Sequence, residues 1–167
     1  MFDIGDYIVY GHNGICRVLD ITHPDISGVD TDRLYYVLMP EKTKGSRLFC
    51  PADDDKISIR RVISEQEAKE IIRASKDIEP LEIDNDRMRD ASYKNAIKSS
   101  DLVQWVKIIK TLLIRKKERE DAGKKITATD ERYLKLAEEG LYSELALATG
   151  RDKEEIQDII LSNCGWC

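Results

Sequence analysis

The chain is predicted to be an α+β protein, a small five-stranded β module followed by a compact all-helical C-terminal domain. Three observations predict it. Residues 1–61 consist of short segments rich in β-branched and aromatic side chains, punctuated by Gly, Pro and Asp. Ser64-Glu65-Gln66-Glu67 has the reciprocal Ser/Glu spacing of a helix capping box. Beyond Pro80, apolar residues recur at the 3.6-residue period of amphipathic helices.

The strands are expected at Asp6–Tyr10, Ile15–Ile21, Arg33–Met39, Arg47–Cys50 and Ile57–Arg61. Gly11-His12-Asn13-Gly14 reverses the chain between the first two, and the Pro- and Asp-rich residues His23–Asp32 form a loop. The near-continuous apolar run Leu34-Tyr35-Tyr36-Val37-Leu38-Met39 suits a central position. Five short strands in so few residues predict a strongly bent sheet or SH3-like barrel, supported by the helix that follows.

That helix runs from the Ser64 cap to about Ser75, and Asp77–Asp86 with Pro80 is the expected hinge. Arg87–Lys98 is a short polar helix. Asp101 caps a longer one with Val103, Trp105, Ile108, Ile109, Leu112 and Leu113 on its apolar face. Gly123 ends it. Thr127 caps the next helix, expected to bury Tyr133, Leu134, Leu136, Ala137, Leu141, Leu145 and Ala146. Gly150 closes that helix, and Asp152 opens a last one to about Leu161. The expected organisation is thus residues 1–62, a connecting helix and hinge over 63–86, a helical domain over 87–162, and a frayed tail over 163–167.

Net charge is −5, which argues against indiscriminate nucleic-acid binding. The average conceals a segregation: Lys94 to Lys125 holds ten Lys/Arg against four Asp/Glu. Arg115-Lys116-Lys117-Glu118-Arg119 ends the long helix, where cations also complement the helix dipole. Lys94, Lys98, Lys107, Lys110, Lys124, Lys125 and Arg132 extend the positive charge beyond what dipole matching requires, so phosphate contact is a natural reading.

Signs of catalysis are absent from the pattern. There is no Gly-rich phosphate loop, nucleophile elbow or triad, so no enzyme and no cofactor are expected. His12 and His23 fall in turns without partners at ligand spacing, and Asp53-Asp54-Asp55 lacks the Gly and distal Glu of a calcium loop. Cys164-Gly165-Trp166-Cys167 has redox spacing but no helix after it and reads as two free thiols. No leader and no apolar stretch of spanning length is visible, so a cytoplasmic location with reduced cysteines and no membrane contact is expected.

Phe2–Val18, Tyr35-Tyr36-Val37-Leu38, Pro51 and Ile57–Arg61 carry a resemblance, and Ser99–Arg119, Asp130–Leu134 and Glu144–Leu147 carry its most specific part. Over residues 2–160 the chain resembles the CarD/CdnL family of bacterial transcription regulators. Its N-terminal part is also similar to the polymerase-interacting module of transcription-repair coupling factor. The resemblance implies a Tudor-like module that docks on the β subunit of RNA polymerase, placed by position on Ile26, Arg47, Leu48 and Phe49. It implies a helical domain that meets promoter DNA at the upstream fork from the minor groove side, through Arg87, Lys94, Arg115, Lys116 and Arg132, and modulates the open complex. A monomer is expected. The alternative is a protein–protein adaptor with a β interaction module and no DNA-binding role. Two departures stand out: Leu81–Met88 lacks the tryptophan many members use as a wedge, and Ser99-Ser100-Asp101 replaces the usual Ser-Gly-Asp.

Overall fold

The computed structural model describes residues 1–55 and 58–166, so the expected strand start at Ile57 and the thiol of Cys167 lie outside the described residues, as does the side chain of His12. The chain divides into two compact units, one over Met1–Val62 and one beginning at Ile63.

The first unit is a five-stranded antiparallel sheet of β1 (Tyr7–Tyr10), β2 (Ile15–Thr22), β3 (Tyr35–Pro40), β4 (Leu48–Pro51) and β5 (Ile59–Arg61). The spatial order is β4-β3-β2-β1-β5, leaving β4 and β5 as edges and β3 in the interior. Side chains alternate between faces along each strand. Ile8, Cys16, Val18, Tyr36, Leu38 and Cys50 therefore meet in one core, with Leu48 packed against it. The register shifts between Val18 and Asp20, a bulge that adds twist to β2. Phe2 closes one end, its ring edge-on to Tyr36 at 5.9 Å and its amide donating to the Tyr36 hydroxyl at 3.1 Å.

The second unit contains α1 (Glu65–Ala74), α2 (Arg89–Lys98), α3 (Leu102–Asp121), α4 (Ala128–Thr149) and α5 (Lys153–Asn163). The local start signals operate as expected. The Ser64 hydroxyl accepts from Glu67 N while the Glu67 carboxylate accepts from Ser64 N, completing the capping box. Asp101 and Thr127 cap α3 and α4 through their side chains, and Gly150 ends α4 in the left-handed region at φ 69°.

Trp105, Ile108, Ile109, Leu112 and Leu113 of α3 pack against Tyr133, Leu134, Ala137, Leu141 and Leu145 of α4. Leu136, expected in this core, is 43% exposed, and Tyr142 is buried instead. Seven expected residues spread round α4 more widely than its buried face, so one had to point outward. The Tyr142 hydroxyl is enclosed without a hydrogen-bond partner among the described residues.

Several buried polar groups tie residues 63–86 to this bundle. Lys110 is only 8% exposed, and its ammonium donates to the carbonyls of Lys76 (3.2 Å) and Ile78 (2.5 Å) just beyond α1. Asn163 donates to Ile72 O and Ser75 Oγ, and Glu144 accepts from Ile63 N at 3.1 Å. The segment expected as a hinge is held here too: Leu81 N donates to Thr111 Oγ1 at 2.9 Å, and Ile78, Leu81 and Ile83 pack on the core. The tail is likewise ordered rather than frayed through Trp166. Gly165, at φ 80°, turns the chain so that Trp166 N donates to Leu161 O at 2.8 Å and the indole packs on the bundle.

Gly140 sits inside α4, where glycine is otherwise unfavourable by about 1 kcal/mol relative to alanine. A Cβ built there would lie 2.3 Å from Trp105 Cζ3. The indole cannot easily yield, because it is 6% exposed and its N–H reaches Ile97 O at 3.4 Å. Gly140→Ala should therefore destabilise the protein by about 1–3 kcal/mol despite its better helix propensity. Urea denaturation monitored by tryptophan fluorescence checks this, and a raised midpoint would contradict it.

Candidate partner and nucleic-acid interfaces

In the β module, the four residues expected to face a partner separate by role. Arg47 and Phe49 are exposed, Phe49 at 36%, whereas Leu48 turns inward onto the module core. Ile26 is 41% exposed in the connection between β2 and β3. Among the described residues β4 pairs with β3 alone, so its other side is a sheet edge with backbone donors and acceptors outside the ladder. An extended segment from another chain could add there as a further strand.

The cysteines of this module take no part in surface chemistry. Cys16 and Cys50 are fully buried, and burial pushes the Cys16 thiol up to about 11. Cys50 is raised for the same reason. Both remain protonated and poorly nucleophilic at neutral pH. Among the described residues no group of three His, Cys, Asp or Glu could hold a metal ion.

In the helical unit the predicted cations fall into two groups. Arg87 lies exposed in the 3-10 turn Asp86–Met88 that leads into α2, Lys94 is exposed on α2, and Arg132 is exposed in the second turn of α4. Arg132 lies over the Tyr133 ring at 4.8 Å, and Tyr133 OH donates to Asp90 Oδ1 at 3.1 Å. Burial raises the pKa of Tyr133, with the Asp90 carboxylate adding to it, so the phenol stays a donor. Contact with the ring restrains the exposed Arg132 side chain close to the start of α4.

Arg115 is different. Its Nε meets Asp130 Oδ2 at 2.7 Å, and a terminal nitrogen lies 3.8 Å from Asp86 Oδ1. The Asp130 side chain is 5% exposed and that of Arg115 25%, so this is a largely desolvated ion pair joining α3 to α4. Arg89 completes the network, donating to Asp86 and to Tyr93 OH at 2.9 Å. Lys116 is half-buried near Glu138, whose pKa burial raises and Lys116 partly restores. Lys110, counted with the basic face from sequence, is withdrawn into the interior as described above. The exposed remainder includes Lys94, Lys98, Lys117, Lys124 and Lys125. Nothing in the charge pattern distinguishes Lys110 or Arg115 from these; only their apolar flanks, Ile108-Ile109 and Leu112-Leu113-Ile114, hint at inward positions.

Leu81 and Ile83 pack against the bundle core, whereas Met88 is 53% exposed beside Arg87. Ser100, where the resemblance expects glycine, has φ 56°, a left-handed backbone that glycine adopts freely. The Ser-for-Gly departure thus falls on conformation rather than on capping, which Asp101 supplies.

No helix among the described residues is long and apolar enough to cross a membrane. Compared with known proteins, residues 2–63 match the family model described as CarD-like/TRCF RID domain. Residues 67–161 match the model of the CarD C-terminal domain. A search of curated proteins returned no match.

Removing Asp130 would strand the Arg115 guanidinium in a poorly solvated place and delete an acidic residue from the first turn of α4. Asp130→Ala should cost about 3 kcal/mol. Chemical denaturation checks this, and a change below about 1 kcal/mol would mean the pair is solvated.

Proposed function

The chain belongs to the CarD family of transcription-related, RNA-polymerase-interacting proteins, and from that premise we propose a two-ended bridge between polymerase and promoter. The family's domains are non-enzymatic interaction domains. The β module docks on the polymerase β subunit by strand addition at β4, with Arg47, Phe49 and Ile26 selecting the partner. The helical unit contacts promoter DNA at the upstream edge of the bubble and changes the stability of the open complex.

The observation that carries this reading is the open β4 edge flanked by exposed Arg47 and Phe49, inside the segment that matches the polymerase-interaction model. Main-chain bonds along an edge supply affinity, and alternate side chains supply selectivity. On the DNA side, Arg87, Lys94 and Arg132 are the outward cations. Arg115 serves them indirectly by fixing α3 to α4 through Asp130. Met88, exposed next to Arg87, is the apolar side chain available to press on a base step from the minor groove.

The adaptor reading without DNA draws on one observation. The helical unit is acidic overall, with 19 Lys/Arg against 22 Asp/Glu, and Lys110 and Arg115 are spent internally. A salt titration of binding to a fork-junction promoter, with polymerase present, separates the two. Lys94→Glu and Arg132→Glu should each weaken binding and shrink the slope of log K against log salt by about one. Slopes unchanged in both variants would leave the adaptor as the better account.

Docking has its own test. Arg47→Glu should weaken capture of core polymerase by about tenfold or more, roughly 1.4 kcal/mol. Equal affinity for Arg47→Glu and the parent would remove β4 as the docking edge.

A further inference from the structure

Beyond the β4 edge, the sheet presents a second feature on the face opposite its core. Tyr7 of β1 pairs with Arg17 of β2, and Arg17 pairs in turn with Met39 of β3. Leu38 pairs with Leu48 of β4, so Arg47 stands next to Met39 in the same cross-strand row. The inner face belongs to Ile8, Cys16, Leu38 and their neighbours. Alternation therefore turns Tyr7, Arg17 and Met39 outward. Tyr7 is 38% exposed, Met39 is half-buried, and Arg17 and Arg47 are exposed. The Arg17 guanidinium lies 5.9 Å from the centre of the Tyr7 ring.

Two properties distinguish this row from an ordinary solvated face. First, neither Arg17 nor Arg47 has an ion pair among the described residues, although the module is acid-rich and its Arg33 is already paired with Asp53 at 2.6 Å. Second, a tyrosine and an arginine held in contact, beside a methionine, are the residue types enriched at the energetic centres of protein interfaces. The ring restrains the guanidinium, so less side-chain freedom is lost when a carboxylate engages its N–H fork.

The charge of the module selects between kinds of partner. Residues 1–62 hold eight Lys/Arg and ten Asp/Glu, a net −2, so a polyanionic backbone gains no long-range attraction here. A protein segment with one or two carboxylates beside an aliphatic or aromatic residue fits a row with two cations, one ring and one thioether.

We propose that the row Tyr7–Arg17–Met39–Arg47 is a second docking strip, continuous with the β4 edge, that binds an acidic, apolar-anchored segment of the polymerase lying across the strands. This rests on the docking reading above and extends it from an edge to a face. With neighbouring strands about 4.8 Å apart, four strands span roughly 14 Å, the length of about four extended residues. In this arrangement Arg47 belongs to both the edge and the face. Strand addition supplies backbone bonds indifferent to side-chain identity, and the strip adds carboxylate selectivity at a right angle to it.

The test uses the full-length chain, fluorescently labelled, titrated with core RNA polymerase and separately with fork-junction DNA. Arg17→Glu should weaken polymerase binding by roughly tenfold or more, and Arg17→Gln by a smaller factor, because the charge and not the aliphatic stem is removed. Tyr7→Phe should bind as the parent does, while Tyr7→Ala should lose roughly threefold to tenfold. Thermal melting of each variant identifies loss by unfolding; the exposed Arg17→Gln keeps the strip testable if Tyr7→Ala unfolds. Affinity for DNA alone should not change. If both Arg17 variants bind polymerase within twofold of the parent while Arg47→Glu does not, the strip is refuted and the edge survives. Loss of DNA affinity with polymerase affinity intact would refute it too, assigning the row to nucleic acid. Failure of the parent itself to bind core polymerase would overturn the docking reading and the strip together.

Discussion

The packing of Trp105 on the bare backbone of Gly140 determines how closely α3 and α4 approach, and the helical unit is organised around that approach. Ten residues further along α3 stands Arg115, and ten residues back along α4 stands Asp130. The two antiparallel helices are thus fastened twice, about 15 Å apart by helical rise. One fastening is steric, an indole that tolerates no Cβ opposite it. The other is a desolvated ion pair. Between them lies the shared apolar face, so register and separation are both specified. A core of Leu and Ile alone would fix separation far less sharply, because aliphatic side chains tolerate sliding and volume-conserving exchange.

Buried polar groups then tie residues 63–81 to this pair. Lys110 places a cation just beyond the carbonyl end of α1, on the carbonyls of Lys76 and Ile78, where the helix dipole favours positive charge. Thr111, Asn163 and Glu144 each make a further bond to the backbone of residues 63–81. A lysine so placed costs desolvation, offset by two short carbonyl contacts, and it specifies one docking position for α1.

For a protein of the CarD family, this division has a functional consequence. The segment from Lys94 to Lys125 looks like a uniform basic band in one dimension, yet in three it is sorted into structural and available charge. Arg115 and Lys110 hold the scaffold, while Arg87 in the turn before α2, Lys94 on α2 and Arg132 on α4 are exposed. In the β module the same sorting happens by strand alternation, which sends Leu48 inward and leaves Arg47 and Phe49 outward.

What the sequence determined by itself is the part governed by local rules. Alternation and turn residues marked the strands to within two residues at their described ends. The caps at Ser64, Asp101 and Thr127 marked helix starts, because a cap depends only on residues within one turn. Most of the α3 core was legible from its period for the same reason. Tertiary structure alone decided which cations are free, which is why Lys110 and Arg115 were indistinguishable from Lys94 in the one-dimensional pattern. It also decided that Leu136 faces solvent, that Trp166 is docked, and that Gly140 is there to admit Trp105. Each of these depends on what a distant segment places opposite the residue, and a charge or a side-chain volume carries no record of its eventual neighbour.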